Sequence, residues 1–416
     1  MPASSTATGL SCRRCLCRVP LGALESCPTC AGTLVPTYDI ERAARSMSDL
    51  DTRPRTMWRY SELLPVDRPP GFGEGIGWTP LIDAPRLARA LGLRSLFLKN
   101  EGVCHPTCSF KDRPVAVAVA AAQRFGFRVL AAPSTGNLAN ATAALARLAG
   151  LEARVFVPAD LEEAKIAGAA VFGPGVLAVR GSYDEVRRLA ATLAARESWA
   201  LVNHTLRPFY GEGSKTIAFE AVEQLGGLPE QVLLPMGSGL LLDRVARGFE
   251  EWGALRAVSG PRPRMCGVQA QGCAPIAEAF RRGEASARPV RPRTIARSIA
   301  VGEPASAVEA LEAIRGSGGT AVSVSDEEIL EGTLLLARTE GIFGETACGA
   351  SVAGARRLVE EGGLDRDART LLVLTGNGFK TADALRGRLA VPVVRADPTE
   401  AMAALRSSTS GVGPSG

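Results

Sequence analysis

The chain has 416 residues, 46% of them hydrophobic and 22% charged, which is enough to build a sizeable core over roughly two to three domain lengths. Its 48 basic and 43 acidic residues leave a net charge of +5, too slight to point to nucleic acid. The longest apolar run, Val115 to Ala122, is far too short to span a bilayer, and the start MPASSTATGL lacks the basic and apolar regions of a secretory signal. Only five lysines occur, Lys99, Lys111, Lys165, Lys215 and Lys380, so any lysine chemistry has few candidates.

In chain order, the first feature is Cys12-Arg13-Arg14-Cys15 followed by Cys27-Pro28-Thr29-Cys30. Two CxxC pairs present four thiolates to one ion, the donor set of a tetrahedral zinc site. Disulfides between cysteines this close in sequence are strained, and a redox CxxC normally opens a helix, where Pro28 fits badly. Unliganded thiols in a degenerate ribbon are the plain alternative. Cys17 is a spare thiol near the set, and the remaining cysteines read mostly as small buried hydrophobes. Residues 1–40 are thus expected to form a zinc-ribbon-like module. A basic, Pro-rich connector from Arg53-Pro54-Arg55 to Arg68-Pro69-Pro70 follows.

From Leu96 onward, short apolar strands alternate with amphipathic or Ala-rich helices. Strands are expected at Arg128–Ala132, Ala153–Val157, Gln231–Pro235 and Thr370–Leu374. Helices are expected over Asn137–Leu148, after Gly239 through Phe249, and from a cap at Asp326-Glu327-Glu328 to about Arg338. This alternation signals an α/β protein with a mostly parallel sheet. The Ser/Gly-rich end, Ser407 to Gly416, reads as a frayed tail.

Three expected strands run into loops rich in glycine and polar side chains that open helices: Ser134-Thr135-Gly136-Asn137, Gly237-Ser238-Gly239-Leu240 and Thr375-Gly376-Asn377-Gly378. Amides at helix N-termini bind anions, and such loops gather at the carboxyl ends of parallel strands. Together they point to a ligand carrying several anionic groups, with plain structural turns as the alternative. Lys111, three residues before Pro114, lies at or just before a helix start, a setting that suits an amine nucleophile. The two histidines, His105 and His204, show no metal-ligand or triad spacing, and Lys99 and Lys215 read as structural.

These segments are similar to the threonine synthase branch of the fold type II (tryptophan-synthase-β-like) pyridoxal-phosphate family, from the cysteine pairs to about residue 385. Gly73-Glu74-Gly75 with Thr79-Pro80-Leu81 resembles the family's GEG…TPL, and Pro106-Thr107-Cys108-Ser109-Phe110-Lys111-Asp112-Arg113 its PTGSFKDR. The Ser134–Asn137 loop matches STGN, and Gly211-Glu212-Gly213-Ser214-Lys215-Thr216 resembles EGQKT. Glu340-Gly341-Ile342-Phe343 and Thr375–Lys380 resemble late family segments.

The resemblance implies two open, mostly parallel sheet domains with the cofactor between them, plus the N-terminal module. Residues 41–400 would be catalytic, with a smaller mobile subdomain at about 126–205, and 401–416 a flexible tail. Lys111 would hold the cofactor and shuttle protons, Asn137 would meet the ring 3′-oxygen, and Thr375 the ring nitrogen. Gly237, Ser238, Gly239 and Leu240 would cradle the cofactor phosphate, and Ser134 and Thr135 the substrate carboxylate. The implied reaction takes protons from Cα and Cβ of O-phospho-L-homoserine, expels phosphate from Cγ and adds water at Cβ to give L-threonine. A cytoplasmic homodimer with an amino-acid substrate, and no nucleic-acid or membrane partner, completes the expectation.

Four departures bear on the substrate. The family glycine before SFKDR is Cys108, the phosphate loop continues as Leu240-Leu241-Leu242, and EPASAA reads Glu345-Thr346-Ala347-Cys348-Gly349-Ala350. Where many relatives carry an arginine for the substrate phosphate, this chain has Tyr210, with Arg207 three residues earlier as the replacement cation. The rival reading is a paralogue doing β-elimination or β-replacement on serine, O-phosphoserine or threonine. A zinc-ribbon binding protein with a dead catalytic fold is a third class, disfavoured because Lys111, Asn137 and Thr375 occur together.

Overall fold

The structure is a computed structural model describing residues 4–409 except 135, 160, 162, 182, 257–260 and 390. Its strands are β1 (Ala7–Cys12), β2 (Arg18–Val19), β3 (Leu34–Tyr38), β4 (Leu81–Asp83), β5 (Ser95–Asn100), β6 (Val129–Pro133), β7 (Glu152–Pro158), β8 (Gly175–Val179), β9 (Ala200–Leu201), β10 (Gln231–Pro235), β11 (Arg264–Ala270), β12 (Thr320–Val324) and β13 (Arg369–Leu374). Among the described residues they form three sheets. A small antiparallel sheet, β2-β1-β3, belongs to the cysteine-rich N-terminus. A four-stranded parallel sheet has the order β8-β7-β6-β9. The six-stranded sheet, β12-β11-β10-β13-β5-β4, is parallel except for the edge strand β4. The expected α/β class, with two open and mostly parallel sheets, is what forms.

Continuous apolar strands such as β10 and β13 are buried because helices cover both faces of the large sheet. The helix Asp112–Arg124 is buried from Asp112 to Ala122, so its apolar run is core rather than an amphipathic face. Among the described residues no helix is long and apolar enough to cross a membrane.

Several boundaries differ from expectation. The stretch read as a connector is packed: Met57, Trp58, Tyr60, Leu63, Leu64 and Val66 are buried. Two of its arginines are held in ion pairs. Arg53 grips Glu62 at 2.7 and 2.8 Å, and Arg59 reaches Glu223 at 2.8 Å. Ser325, not the acidic triplet, caps the helix Asp326–Glu340, through a capping box with Glu328. The helix after the second glycine loop runs on to Arg256. Residues Pro398–Thr409 are helical, so the start of the expected tail, Ser407 included, belongs to a helix; 410–416 lie outside the described residues.

Candidate active site

The loop carrying Lys111 leaves β5 and enters the helix Asp112–Arg124 with Lys111 as its N-cap residue, so the amine sits at the helix's positive end. Asp112 folds the loop back on itself, accepting from Thr107 N at 3.0 Å and Thr107 Oγ1 at 2.6 Å. Burial pushes the Asp112 carboxyl up to about 7, against the lowering effect of those bonds. Cys108, at φ 56°, takes the left-handed conformation that explains the glycine of the related motif. The loop is also stitched to the last glycine loop. Phe110 N donates to Thr375 O at 2.9 Å, and Asn377 N to Cys108 O at 3.1 Å.

Two residues on from Lys111, Arg113 is the centre of a fully buried ion cluster. Arg113 donates to Glu101 at 2.6 and 2.9 Å and to Glu220 at 2.6 and 2.7 Å, while Lys99 reaches Glu220 at 2.8 Å. Burial alone would raise the Glu220 carboxyl; Arg113 and Lys99 outweigh it and hold it at about 2. Lys99 and Lys215 are therefore structural, as expected; Lys215 is spent on Glu212 at 2.5 Å and Glu251 at 2.7 Å.

The Lys111 amine donates to the buried Tyr210 hydroxyl at 2.9 Å and lies 4.6 Å from the Phe110 ring centroid. Sequence reasoning placed Tyr210 at a substrate phosphate; the structure puts its hydroxyl against the lysine. Asn137, first residue of the helix after β6, donates from Nδ2 to Glu345 at 2.8 Å and accepts from Lys380 at 3.0 Å. Thr375, just past β13, donates to the other Glu345 oxygen at 2.6 Å. A side chain at Gly376 would meet the Glu345 carboxylate at 2.8 Å, so only glycine lets that acid approach. Glu345 and Lys380 thus join Asn137 and Thr375 in one network across the two large sheets. Sequence reasoning gave neither a role, though both lie in segments it singled out.

The third loop, Gly237–Gly239, leads from β10 into the helix Leu240–Arg256. Gly239 is at φ +87°, and a Cβ there would strike Ser306 O at 2.6 Å. Ser306 N donates to Ser238 O at 3.0 Å, and Arg207 donates to Ser306 Oγ at 3.2 Å and Ala305 O at 2.7 Å. Burial pulls the Arg207 guanidinium below its usual range. Arg207 therefore stands beside the segment that backs this loop. Ser134 closes its own turn, accepting from Gly136 N at 3.2 Å, and Thr135 lies outside the described residues.

At the N-terminus, the thiols of Cys12, Cys15, Cys27 and Cys30 all lie within 4.8 Å of one another. Sγ–Sγ separations of 3.5 Å (Cys12–Cys30) and 3.6 Å (Cys15–Cys27) suit one zinc ion, since four sulfurs at ~2.3 Å in a tetrahedron stand about 3.8 Å apart. The spare thiol Cys17 is 3.2 Å from Cys27.

Residues 73–376 match the family model described as pyridoxal-phosphate dependent enzyme. The chain is 40% identical over 360 residues to the threonine synthase of Methanosarcina acetivorans, covering 86% of this chain and 88% of the relative. It is likewise 40% identical over 361 residues to that of Methanocaldococcus jannaschii, covering 85% and 88%. The chain belongs to the threonine synthase family of pyridoxal-phosphate dependent enzymes. Among solved structures, diaminopropionate ammonia lyase from Escherichia coli superposes with a TM-score of 0.66 at 20% identity, covering 84% of this chain and 93% of that one. Threonine deaminase isoform 2 of Solanum lycopersicum does so at 0.64 and 21%, covering 75% and 88%. At such identities these neighbours speak for the family's fold alone.

Proposed function

We propose that this enzyme converts O-phospho-L-homoserine and water to L-threonine and phosphate, as a cytoplasmic homodimer. The observation that carries the reading is the Lys111 amine, capped into a helix start and tied to the loop that bears Thr375. Among the described residues the amides of Gly237, Ser238 and Gly239 donate to no protein acceptor. Three free donors at a helix N-terminus fit a phosphate dianion, so the donor set fits pyridoxal phosphate. Gly237, Ser238, Gly239 and Leu240 would hold its phosphate, Asn137 and Thr375 its ring, and Lys111 its carbonyl carbon. Bound there, it supplies an electron sink that stabilises negative charge on the substrate carbons.

The chain's own residues account for the rest. Ser134 and Thr135 take the substrate carboxylate at the start of the helix Asn137–Leu148. The Lys111 amine carries the protons lost at Cα and Cβ of the substrate. The Tyr210 hydroxyl, 2.9 Å from it, orients that amine and offers a proton relay. Glu345 holds the Asn137 and Thr375 side chains in register. Arg207 is the cation assigned to the leaving phosphate. The sheet β8-β7-β6-β9 supplies the smaller moving body, about residues 126–205, whose approach excludes water. Cys12, Cys15, Cys27 and Cys30 hold one structural zinc ion.

One observation favours the rival β-elimination chemistry: the residue facing Lys111 is a tyrosine rather than a cation. A substrate panel separates the two. O-phosphohomoserine should give equimolar threonine and phosphate, and Arg207→Ala should raise its KM by about tenfold or more, the loss of a charged hydrogen bond. Faster turnover of serine, threonine or O-phosphoserine, with a mild Arg207→Ala effect, would refute the proposal.

A further inference from the structure

The N-terminal module is docked on the elements that form the proposed phosphate loop. Arg13, between the thiols of Cys12 and Cys15, extends to Asp243 Oδ1 at 2.5 Å. Asp243 is nearly buried and lies in the first turn of the helix Leu240–Arg256, its amide bonded to Gly239 O at 3.1 Å. The second guanidinium nitrogen reaches Glu312 at 2.8 Å. Thr33, whose carbonyl accepts from Arg13 N at 2.9 Å, donates to Glu309 at 2.6 Å. Glu309 and Glu312 belong to the helix Ala307–Gly316, which begins just after Ser306, the residue bonded to Ser238 O. One knuckle therefore braces both helices that flank Gly237–Gly239.

The module's own interior is small, although Tyr38, Pro36 and Glu25 tie its rim to Glu212, Arg247 and His204. The module's buried apolar cluster consists of Leu10, Cys12, Cys27 and Leu34, too small to fix a backbone without a metal staple. Cys12 Sγ accepts from Arg14 N at 3.4 Å and Cys15 N at 3.5 Å, so the thiol position and the backbone carrying Arg13 are set together.

We propose that Arg13 is a positioning residue that couples the four-thiolate module to the loop holding the cofactor phosphate, so that an intact metal knuckle is needed for tight retention of pyridoxal phosphate. The inference rests on the assignment of Gly237–Gly239 to that phosphate. The guanidinium pins the first turn of one flanking helix through Asp243, while Thr33, bonded to the Arg13 amide, holds the first turn of the other through Glu309. Removing it frees the amides of the loop to reorient, which weakens their hold on a dianion.

The test is release of pyridoxal phosphate from full-length holoenzyme, followed by absorbance under dilution, with zinc measured on the same samples. Arg13→Ala is expected to speed release by about fivefold or more, the lower range of energetic coupling between sites, with Arg13→Lys partly restoring retention. Glu312→Gln, at a partner whose side chain is 59% exposed, is expected to change nothing. Asp243→Asn leaves every module residue intact and decides the matter if Arg13→Ala loses zinc or fails to fold. Wild-type retention in Asp243→Asn with full zinc overturns the coupling. Ser238→Asp tests the assignment beneath it: unchanged retention there means the loop does not hold the phosphate, whereas loss there with indifferent Arg13 and Asp243 variants refutes the coupling alone.

Discussion

Glu220→Gln probes the buried charge cluster centred on Arg113, two residues on from Lys111. The carboxylate, itself fully buried, accepts from the half-buried Trp78 N at 2.7 Å and from the buried Thr79 N at 3.2 Å, Lys99 at 2.8 Å and Arg113 at 2.6 and 2.7 Å. Its pKa falls from 4.5 to about 2, which corresponds to roughly 3 kcal/mol of preference for the charged form in the fold. Glutamine keeps one acceptor oxygen but turns an NH2 toward two cations and leaves Arg113 with Glu101 as its remaining acid partner. Removing one partner of a buried pair costs about 3–5 kcal/mol, so we expect a loss of about 3 kcal/mol in denaturant unfolding at pH 7. For a carboxylate with a depressed pKa, the stabilisation is complete above about pH 4.5 and vanishes as pH falls through about 2. The gap between wild type and variant should therefore narrow between pH 4.5 and 2. A loss under about 1 kcal/mol at pH 7, against the range for broken buried pairs, would refute the assignment, as would a gap that does not narrow on acidification.

Lys111→Ala should abolish cofactor absorbance and lower turnover by several orders of magnitude while leaving far-UV circular dichroism intact; borohydride labelling of another of the five lysines would refute the assignment. Cys108→Gly should stabilise the protein by about 0.5–1 kcal/mol, because glycine relieves the left-handed strain at φ 56° at some entropic cost; thermal unfolding reads the sign. Elemental analysis should find about one zinc per chain, as a four-thiolate site requires, and its loss in a Cys27→Ser variant should destabilise the N-terminal module.

Four of the strands (β6, β7, β10 and β13) and the start of the lysine helix were readable in the sequence because their signals are local. β10 matches its expected limits because five apolar or neutral residues end at a proline before a glycine loop. The helix Asn137–Leu148 likewise starts and stops where its pattern does. What was not readable depends on partners far along the chain. The 53–70 stretch read as a basic connector because the partners that bury it, Glu223 for Arg59 and Phe219 and Trp252 for Tyr60, come from other elements. Glu345 and Lys380 acquire their places from Asn137, some two hundred residues away, and no spacing rule links them. Tyr210 was legible as a departure but not as a lysine partner, since that depends on the packing of Arg207–Tyr210 against the lysine helix.

The order of strands in the large sheet also sets how the molecule comes into being. β13 is last in the chain yet sits in the middle, hydrogen-bonded to β10 on one side and β5 on the other. Until it emerges from the ribosome, the β5 and β10 flanks present bare, apolar edges with no covalent route to each other except a long stretch of chain. At elongation rates of about 5–20 residues per second, β10 waits on the order of ten seconds for its neighbour. Such edges recruit other chains, so yield in a heterologous host should track holdase chaperone supply and slow growth temperature more than codon choice. The same insertion delivers Thr375 and Asn377 to the lysine loop, so the candidate site cannot be assembled before that last strand goes in.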